Sequence, residues 1–346
     1  MNCSKKLKGS ELLELIAWGR AELLRAGIEE AQEECERILM KLCGCSRSRI
    51  YLEEHELDAS GTRERFLALL EKRVQRIPLA YLLKEADFWQ ETLYVDERCL
   101  IPRPETEILV EVVIREIGKA PPPGPLPGGE GKKRTPLLGE RLGEGENVFS
   151  FLDIGTGSGA IAIAILRAFK NAYGTMLDIS GEALEVAFEN LKRYKLEERA
   201  VLVQGNIFNG SGEVFPHPGP LPEGEGKNRK PLPGGEGGVR GLDKWDLIVS
   251  NPPYLSEEDW KEVQEELRFE PKGALDGGKD GLDFYRKIIS GAKDRLTCGG
   301  MIALEVGQGQ TEQVSKWLQT AGYDNIQRFK DLLGIERVVI ARKGTG

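Results

Sequence analysis

The sequence predicts an α/β protein in which a small N-terminal helical bundle precedes a doubly wound, mostly parallel sheet with an antiparallel edge. Short apolar runs of the kind buried in parallel sheets recur through the second half of the chain, and helical patterns follow several of them. The length of 346 residues exceeds one typical domain, which is consistent with two folded units. The predicted strands are 151–154, 175–177, 201–203, 245–250, 300–305 and 337–341.

Residues 1–80 carry the predicted helical bundle. Apolar residues at helical spacing, bounded by serine, glycine and proline, indicate helices over 10–27, about 29–43 and 60–78. Such a bundle either adds stability or recognises a macromolecular partner. The second role is favoured, because an enzyme acting on a small molecule has little need of an appended bundle.

A connecting β-hairpin is predicted over 81–101, where the pattern becomes strand-like. It leads into a second domain, 102–346. The stretch 101–107, Ile-Pro-Arg-Pro-Glu-Thr-Glu, then opens a helix. Glu105 or Thr106 either caps this helix or belongs to a loop that contacts a ligand.

Two segments, 121–146 and 216–238, are near copies of one another and fit no fold pattern. Both contain Pro-Gly-Pro-Leu-Pro followed by Gly-Glu-Gly and basic residues. This composition cannot bury a core, so we expect disordered surface insertions. A proline-rich partner motif is the alternative, but low-complexity sequence tolerated in loops is the simpler interpretation.

Composition narrows the location and the chemistry. The net charge of −8 argues against a protein that wraps bare nucleic acid, and no direct nucleic-acid binding is expected. Glu11 and Glu14 interrupt the apolar stretch after the N-terminal lysines, so we expect no signal peptide, and no membrane span is expected. Six scattered cysteines indicate a reducing cytoplasm. With only 2 histidines and no partner pair for Cys43 and Cys45, neither histidine catalysis nor a metal site is expected.

A glycine-rich turn follows the predicted strand 151–154. Such a turn between a strand and a helix lets a ligand approach the backbone and the helix N-terminus. Asp178, after the next strand, stands where a carboxylate accepts hydrogen bonds from two ribose hydroxyls. The end of the following strand is a candidate adenine contact. The predicted cofactor-binding residues are Gly155, Thr156, Gly157, Ser158, Gly159, Asp178, Asn206 and Ile207.

Two classes of cofactor fit this turn. Gly155, Gly157 and Ala160 also satisfy the dinucleotide pattern G-x-G-x-x-A, so a nicotinamide-dependent oxidoreductase is a rival. Three features favour S-adenosylmethionine: Asp153 before the first glycine, the tighter glycine spacing, and Asn-Pro-Pro-Tyr at the end of a later strand. The sequence carries no evident hydride-transfer residues.

The reactive residues are predicted at Asn251-Pro252-Pro253-Tyr254, directly after the strand 245–250. The prolines stiffen the turn, so an amide oxygen and a carbonyl become two fixed acceptors beside an aromatic ring. Such acceptors can hold both hydrogens of a planar –NH2 group while the ring stacks on its plane. This suits methylation of an amide or an exocyclic amine, whereas a plain strand-ending turn is the alternative for these four residues alone.

The combination of these motifs resembles the N5-glutamine methyltransferases of peptide chain release factors, the PrmC/HemK family. The resemblance covers nearly the whole chain outside the two insertions and implies a Rossmann-like S-adenosylmethionine-dependent methyltransferase sheet. Asn-Pro-Pro-Tyr alone also occurs in enzymes that methylate exocyclic amines of DNA or RNA, which remains the alternative function. The stretches that carry the resemblance are 101–107, 153–160, 178–180, 250–254, 269–271 and 275–278.

The resemblance implies transfer of a methyl group from S-adenosylmethionine to the side-chain amide nitrogen of a glutamine, leaving S-adenosylhomocysteine. That glutamine belongs to the Gly-Gly-Gln motif of a release factor, which residues 1–80 help to dock. The Asn251 side chain and the Pro252 carbonyl are the catalytic groups that accept the amide hydrogens, with Pro253 and Tyr254 completing the substrate site. Asn251 also belongs to the cofactor site. We expect a cytoplasmic monomer without a metal.

The chain departs from the family pattern at three positions. Asn206 stands where an aspartate is usual, which weakens a hydrogen bond to the adenine. Lys84 and Gln90 replace glycines in the connection between the domains, which affects domain orientation. The insertion 216–238 falls between the adenine region and the strand before Asn251, where it would crowd the site unless displaced outward.

Overall fold

The chain forms two units in the computed structural model. One comprises Met1–Glu85 with Gln264–Phe269, and the other comprises Ala86–Val263 and Glu270–Gly346. The low-complexity segments 121–146 and 216–238 lie outside the described residues. The structure describes residues 6–7, 9–52, 57–58, 61–119, 149–206, 211–214 and 244–344.

The first unit is a helical bundle with one short antiparallel strand pair. Its elements are β1 (Lys6–Leu7), α1 (Gly9–Arg25), α2 (Ala31–Cys43), α3 (Arg47–Ile50), β2 (Leu57–Asp58), α4 (Thr62–Val74) and α5 (Leu79–Leu83). Strand β1 pairs with β2. The helices predicted over 10–27, 29–43 and 60–78 correspond to α1, α2 and α4.

The bundle core follows the apolar spacing of these helices. Leu12 of α1, Ile38 of α2 and Phe66 of α4 are fully buried. Gly19 lies where α1 meets its neighbours, and a Cβ there would sit 2.8 Å from Cys35 Sγ. The periodicity therefore sets the inward face of each helix, and a glycine allows the close approach.

A buried ion cluster attaches the segment Gln264–Phe269 to this bundle. Arg73 of α4 donates to the two carboxylate oxygens of Glu34 at 2.7 and 3.0 Å and to Glu266 at 3.1 Å. Burial opposes the charge of Arg73, but the two glutamates raise its pKa overall. Removing one partner of such a cluster leaves an uncompensated buried charge, so the segment is firmly attached.

The second unit is built on an 8-stranded sheet. Its strands are ordered β11-β12-β10-β9-β5-β6-β7-β8, with parallel pairing from β10 to β7 and antiparallel pairing at both edges. The predicted doubly wound sheet with an antiparallel edge is confirmed. Its elements are β3 (Ala86–Phe88), β4 (Glu91–Leu93), α6 (Thr106–Lys119), β5 (Phe149–Ile154), α7 (Ala160–Ala168), β6 (Ala172–Asp178), α8 (Gly181–Tyr194), β7 (Ala200–Asn206), β8 (Ser211–Val214), β9 (Trp245–Ser250), α9 (Asp259–Glu262), α10 (Asp283–Ala292), β10 (Leu296–Glu305), α11 (Thr311–Thr320), β11 (Tyr323–Lys330) and β12 (Glu336–Lys343).

The inner strands of this sheet are buried on both faces. Successive residues of β9 contribute to different cores: Leu247 packs with α6, α7 and α8, and Ile248 packs with α10 and α11. Successive side chains of a strand point to opposite faces. A strand covered on both faces is therefore mostly apolar, which is why β9 was recognisable as an apolar run.

The prediction of a hairpin over 81–101 is wrong for its first residues. Residues 79–83 form α5, with Leu79, Tyr81 and Leu83 buried, and the hairpin consists of β3 and β4 alone. A short apolar run cannot be assigned to helix or strand by periodicity, and here packing decides for helix.

The edge strands β8 and β11 were not predicted from the sequence. Most of β11 is solvent-exposed, with Tyr323 its one buried residue, so it lacks the apolar run that marks the inner strands. Within the described ranges no helix combines the length and apolar character needed to cross a membrane.

Lys84 ends α5 with a φ of 58°, a left-handed conformation that costs an L-residue about 1 kcal/mol or more. We predict that Lys84→Gly has a free energy of unfolding about 1 kcal/mol above that of Lys84→Ala, measured by chemical denaturation. The alanine variant is the matched control, because it keeps the Cβ but removes the interactions of the lysine side chain. Equal stability of the two variants would show that this backbone is unstrained.

Candidate active site

The carboxyl ends of β9, β5, β6 and β7 lie side by side at one edge of the sheet. The chain runs outward from β5 to β7 and then returns to β9 on the other side of β5. This reversal is a topological switch point, where open α/β sheets bind ligands at their carboxyl edge. The predicted cofactor and reactive residues follow these strand ends.

The glycine turn after β5 is attached to the end of β6. The backbone N–H groups of Gly155 and Thr156 donate to the Leu177 carbonyl at 2.8 and 3.0 Å. The N–H of Gly157 donates to Asp178 Oδ2 at 2.9 Å. Hydrogen bonds to the last two residues of β6 therefore hold the turn in position.

The glycines of this turn have two different roles. Gly155, Gly157 and Gly159 have positive φ values of 70°, 54° and 83°. A Cβ on Gly155 or Gly157 would meet no atom within 4 Å, so the space beside this backbone is open to a ligand. A Cβ on Gly159 would lie 2.8 Å from Met176 Cε, so the third glycine permits close packing of α7 on β6.

Asp178 is the last residue of β6, and each of its carboxylate oxygens accepts a hydrogen bond from a backbone N–H group. Its Oδ2 accepts from Gly157, and its Oδ1 accepts from the Ser180 N–H at 2.9 Å. Burial raises the pKa of Asp178, although the backbone hydrogen bonds lower it in part. A carboxylate has about four acceptor sites, so Asp178 keeps acceptor capacity for ligand hydroxyl groups beyond its backbone hydrogen bonds.

Asp153 lies beneath the turn and is completely buried. Its Oδ2 accepts from the Thr156 hydroxyl at 2.7 Å, while its Oδ1 has no hydrogen-bond partner among the described residues. Burial raises the pKa of Asp153 to about 7, the Thr156 bond opposes this, and the charge of Asp178 adds to it. The Thr156 side chain therefore anchors the turn to β5.

Asn251 follows β9 at the same edge. The Ser250 hydroxyl donates to the Ile154 carbonyl at 2.8 Å and ties the end of β9 to the end of β5. Nδ2 of Asn251 donates to Oγ1 of Thr106, the first residue of α6, at 2.9 Å. This bond leaves Oδ1 as the acceptor atom of the Asn251 side chain.

Tyr254 packs against the loop that contains Gly277 and Gly281. A Cβ on Gly277 would lie 2.8 Å from Tyr254 Cα, and one on Gly281 would lie 2.3 Å from the Tyr254 carbonyl oxygen. Gln310 Nε2 donates to that carbonyl at 3.0 Å. Burial raises the pKa of Tyr254 to about 12, so its phenol stays neutral near pH 7.

Glu270 holds the loop 101–107. Its Oε2 accepts from the Ile101 N–H at 3.0 Å, and its Oε1 pairs with the Arg103 guanidinium. The Arg103 carbonyl in turn accepts from the Thr106 N–H at 3.0 Å. The buried Glu270 side chain thus helps to place Thr106 beside Asn251.

The structure places most predicted site residues at one edge, with qualifications for three of them. Asn206 is the last residue of β7, whereas Ile207 lies outside the described residues, so its adenine contact stays a prediction. Thr156 and Ser158 are only 7% and 3% exposed, so their backbone is the part that a ligand would reach.

Two polar residues of the site, Gln310 and Glu305, received no role from the sequence, and Glu270 was noted only as part of the stretch 269–271. Their contacts within the site are with residues distant in the chain, such as that of Gln310 with Tyr254, so local patterns carry little information about them. Glu305 had one usable signal, because it is an acidic residue at the end of a wholly buried apolar run.

Comparison with known proteins finds relatives over most of the chain. Residues 14–83 match the family described as the PrmC N-terminal domain, and residues 133–215 match the methyltransferase small domain. The chain is 30% identical over 335 residues to the release factor glutamine methyltransferase of Rhodopirellula baltica, with 96% of each chain covered. It is 32% identical over 330 residues to that of Caulobacter vibrioides, with 94% of this chain and 95% of the relative covered. It is 33% identical over 327 residues to the release factor glutamine methyltransferase of Gloeobacter violaceus, with 93% of this chain and 95% of the relative covered.

Asp153→Asn removes an ionisable group from beneath the turn. The pKa of Asp153 is about 7 when folded against 3.8 for the ordinary group, so between these values the folded state binds the extra proton. Wild-type stability therefore falls as pH rises and levels off above about pH 7. We predict that the variant gains about 2 kcal/mol relative to wild type between about pH 5.5 and 7, measured by chemical denaturation.

A surface change of the same charge is the control for this experiment. Asp324→Asn removes an exposed aspartate from β11 and should show no such pH-dependent gain. A difference between Asp153→Asn and wild type that is constant with pH would contradict the raised pKa.

Proposed function

Because the chain belongs to the family of release factor glutamine methyltransferases, we propose that it transfers a methyl group from S-adenosylmethionine to a glutamine side-chain amide nitrogen, N5. The glutamine is that of the Gly-Gly-Gln motif in peptide chain release factors. The observation that carries this proposal is the end of β9. There the Ser250 hydroxyl donates to the Ile154 carbonyl, which ties the end of β9 to the strand before the glycine turn. Asn251 is the next residue, and its Nδ2 donates to Thr106.

S-adenosylmethionine, when bound, supplies an electrophilic methyl group on a sulfonium sulfur. The residues that would hold it are the turn 155–159, Asp178 and Asn206, with Ile207 beyond the described strand and Asn251 at the boundary to the substrate. The open space beside Gly155 and Gly157 and the remaining acceptor positions on Asp178 support a ligand that carries a ribose. S-adenosylhomocysteine is the proposed product.

Asn251 and Pro252 are proposed to hold the glutamine amide. An –NH2 group has two hydrogens, and Asn251 Oδ1 and the Pro252 carbonyl provide one acceptor each. Pro253 keeps this backbone stiff, and the Tyr254 ring packs on the amide plane.

Catalysis is then mainly a matter of positioning. An amide nitrogen is a poor nucleophile, because its lone pair is delocalised into the carbonyl. Fixing both N–H bonds determines which face of the nitrogen is presented, and alignment of this kind can contribute roughly 7–11 kcal/mol. Tyr254 remains protonated near pH 7 and does not act as a base. The proton can leave to solvent after transfer.

The proposed partners and location follow from the same family membership. Residues 1–80 dock the release factor, and residues 102–346 carry out the methyl transfer. Residues 81–101 connect these two parts of the chain. The described cysteines are free thiols, which agrees with a reducing compartment, and we propose a cytoplasmic monomer. Direct nucleic-acid binding is not part of this proposal.

Mass spectrometry of a release factor incubated with this protein and S-adenosylmethionine tests the function. We predict one added methyl group on the glutamine of the Gly-Gly-Gln motif, and none when that glutamine is replaced by alanine. DNA and RNA serve as rival acceptors in parallel reactions. Methyl transfer to a nucleic-acid amine in place of the release factor would overturn the proposal.

Asn251→Ala removes one of the two proposed acceptors. By comparison with the loss of one preorganised polar contact in other enzymes, we predict a fall in kcat of about 10²–10³-fold at saturating cofactor. Gln319→Ala, an exposed change on α11, is the control and should keep wild-type turnover. Near wild-type turnover of Asn251→Ala would exclude the assigned role.

A further inference from the structure

Glu305 is a buried acid next to the proposed active site that the mechanism above does not use. It is the last residue of β10 and is 1% exposed. Its Oε2 has no hydrogen-bond partner in the described structure. Leaving such an oxygen unpaired is unfavourable, so the position needs an explanation other than stability.

The sheet register brings Glu305 beside Asn251. Leu304 of β10 pairs with Ser250 of β9 in parallel register, and Glu305 and Asn251 are the next residues on each strand. The Thr106 hydroxyl lies beside Glu305 and lowers the pKa of that acid as a hydrogen-bond donor. Its Oγ1 also accepts from Asn251 Nδ2 at 2.9 Å. Thr106 therefore bridges the acid and the amide.

No ion pair involving Glu305 is found in the part of the chain that the structure describes. The nearby arginines already have carboxylate partners: Arg103 pairs with Glu270, and Arg337 pairs with Asp331. Burial raises the pKa of Glu305 to about 7, with Glu105 raising it further and Thr106, Arg337 and Arg103 lowering it. The remaining titratable groups that face it are the phenols of Tyr254 and Tyr285, both held neutral by burial.

We propose that Glu305 is a positioning residue that fixes the orientation of the Asn251 amide through Thr106. A hydroxyl group has one proton. When the Glu305 carboxylate accepts that proton, Thr106 Oγ1 can only accept from Asn251, so Nδ2 must face Thr106 and Oδ1 is left for the substrate. The inference rests on the proposed function, since it assigns Oδ1 the task of accepting from the glutamine amide.

Without a carboxylate at 305 the orientation is no longer specified. The Thr106 proton is then free to point at Asn251 Oδ1, which rotates the amide so that its –NH2 group faces the –NH2 group of the substrate. Two donors cannot hydrogen-bond each other. The effect is that of one lost hydrogen bond to the substrate amide. It therefore lowers turnover more than it weakens cofactor binding, to which Asn251 is one of several contributors.

A double-mutant cycle tests the relay. We predict that Glu305→Gln lowers kcat about three- to tenfold, with a smaller change in the Kd for S-adenosylmethionine and an unfolding temperature at or above that of wild type. Thr106→Val lowers kcat at least as much, and Thr106→Ser retains it. Adding Glu305→Gln to Thr106→Val has no further effect, because the relay is already broken. Glu312→Gln, an exposed change on α11, is the charge-matched control.

The side-chain amide signals of Asn251 in the free protein provide a readout that does not depend on activity. In 15N–1H spectra of wild type we predict that these signals shift as pH passes through about 7, where Glu305 ionises. Glu305→Gln abolishes the shift, whereas Asp153→Asn, which removes the other acid with a pKa of about 7, retains it. Wild-type kcat falls below this pH, and that fall is absent in Glu305→Gln.

These measurements separate the two proposals. Absence of methyl transfer by wild type would overturn the function, while the Asn251 signals would still report on the relay. Three results would overturn the relay. The first is additive losses of kcat in the double-mutant cycle, and the second is Asn251 signals that do not shift as Glu305 ionises. The third is a lower unfolding temperature as the sole effect of Glu305→Gln.

Discussion

The parallel pairing of β9 between β5 and β10 is the constraint on which the site depends. Its register aligns Ser250 with Ile154 on one side and with Leu304 on the other. The residues that follow these positions must therefore meet at one edge. A slip of one residue would move Leu247 and Ile248 into the wrong cores, so burial on both faces enforces the register. The geometry of the site is in this sense a consequence of core packing.

Two buried acids show that this edge of the sheet is not optimised for stability alone. Asp153 and Glu305 each have one carboxylate oxygen without a hydrogen-bond partner among the described residues, and burial raises the pKa of both to about 7. An unsatisfied buried polar group costs about 1–3 kcal/mol. Each acid also has a threonine hydroxyl beside it. Asp153 accepts from Thr156 in the glycine turn at 2.7 Å, and Thr106 at the start of α6 lowers the pKa of Glu305 as a donor. The same device, a buried acid holding a hydroxyl, thus places both halves of the site.

The site residues that could be predicted from the sequence are those that follow strands buried on both faces of the sheet. The glycine turn, Asp178 and Asn251 each come directly after an apolar run, and parallel strands bring such ends together, so local pattern was sufficient. It failed at Tyr81, where a five-residue apolar helix resembles a strand, and at β11, whose exposed face removes the apolar signal. It also missed the bond between Asn251 and Thr106, which joins residues 145 positions apart. No periodicity encodes a contact of that kind, because it depends on where α6 begins relative to a strand end.

The described ends around the two low-complexity segments lie away from the site. Helix α6 starts at Thr106, beside Asn251, and runs away from that edge before the segment 121–146, after which β5 is entered at its amino end. Strand β8 runs antiparallel to β7, away from Asn206, and β9 is likewise entered at its amino end. The described residues that border the two connections therefore do not lie beside Asn251. Since each doubling of a loop costs only about 0.6 kcal/mol in closure entropy, added length in these two connections carries a small thermodynamic penalty.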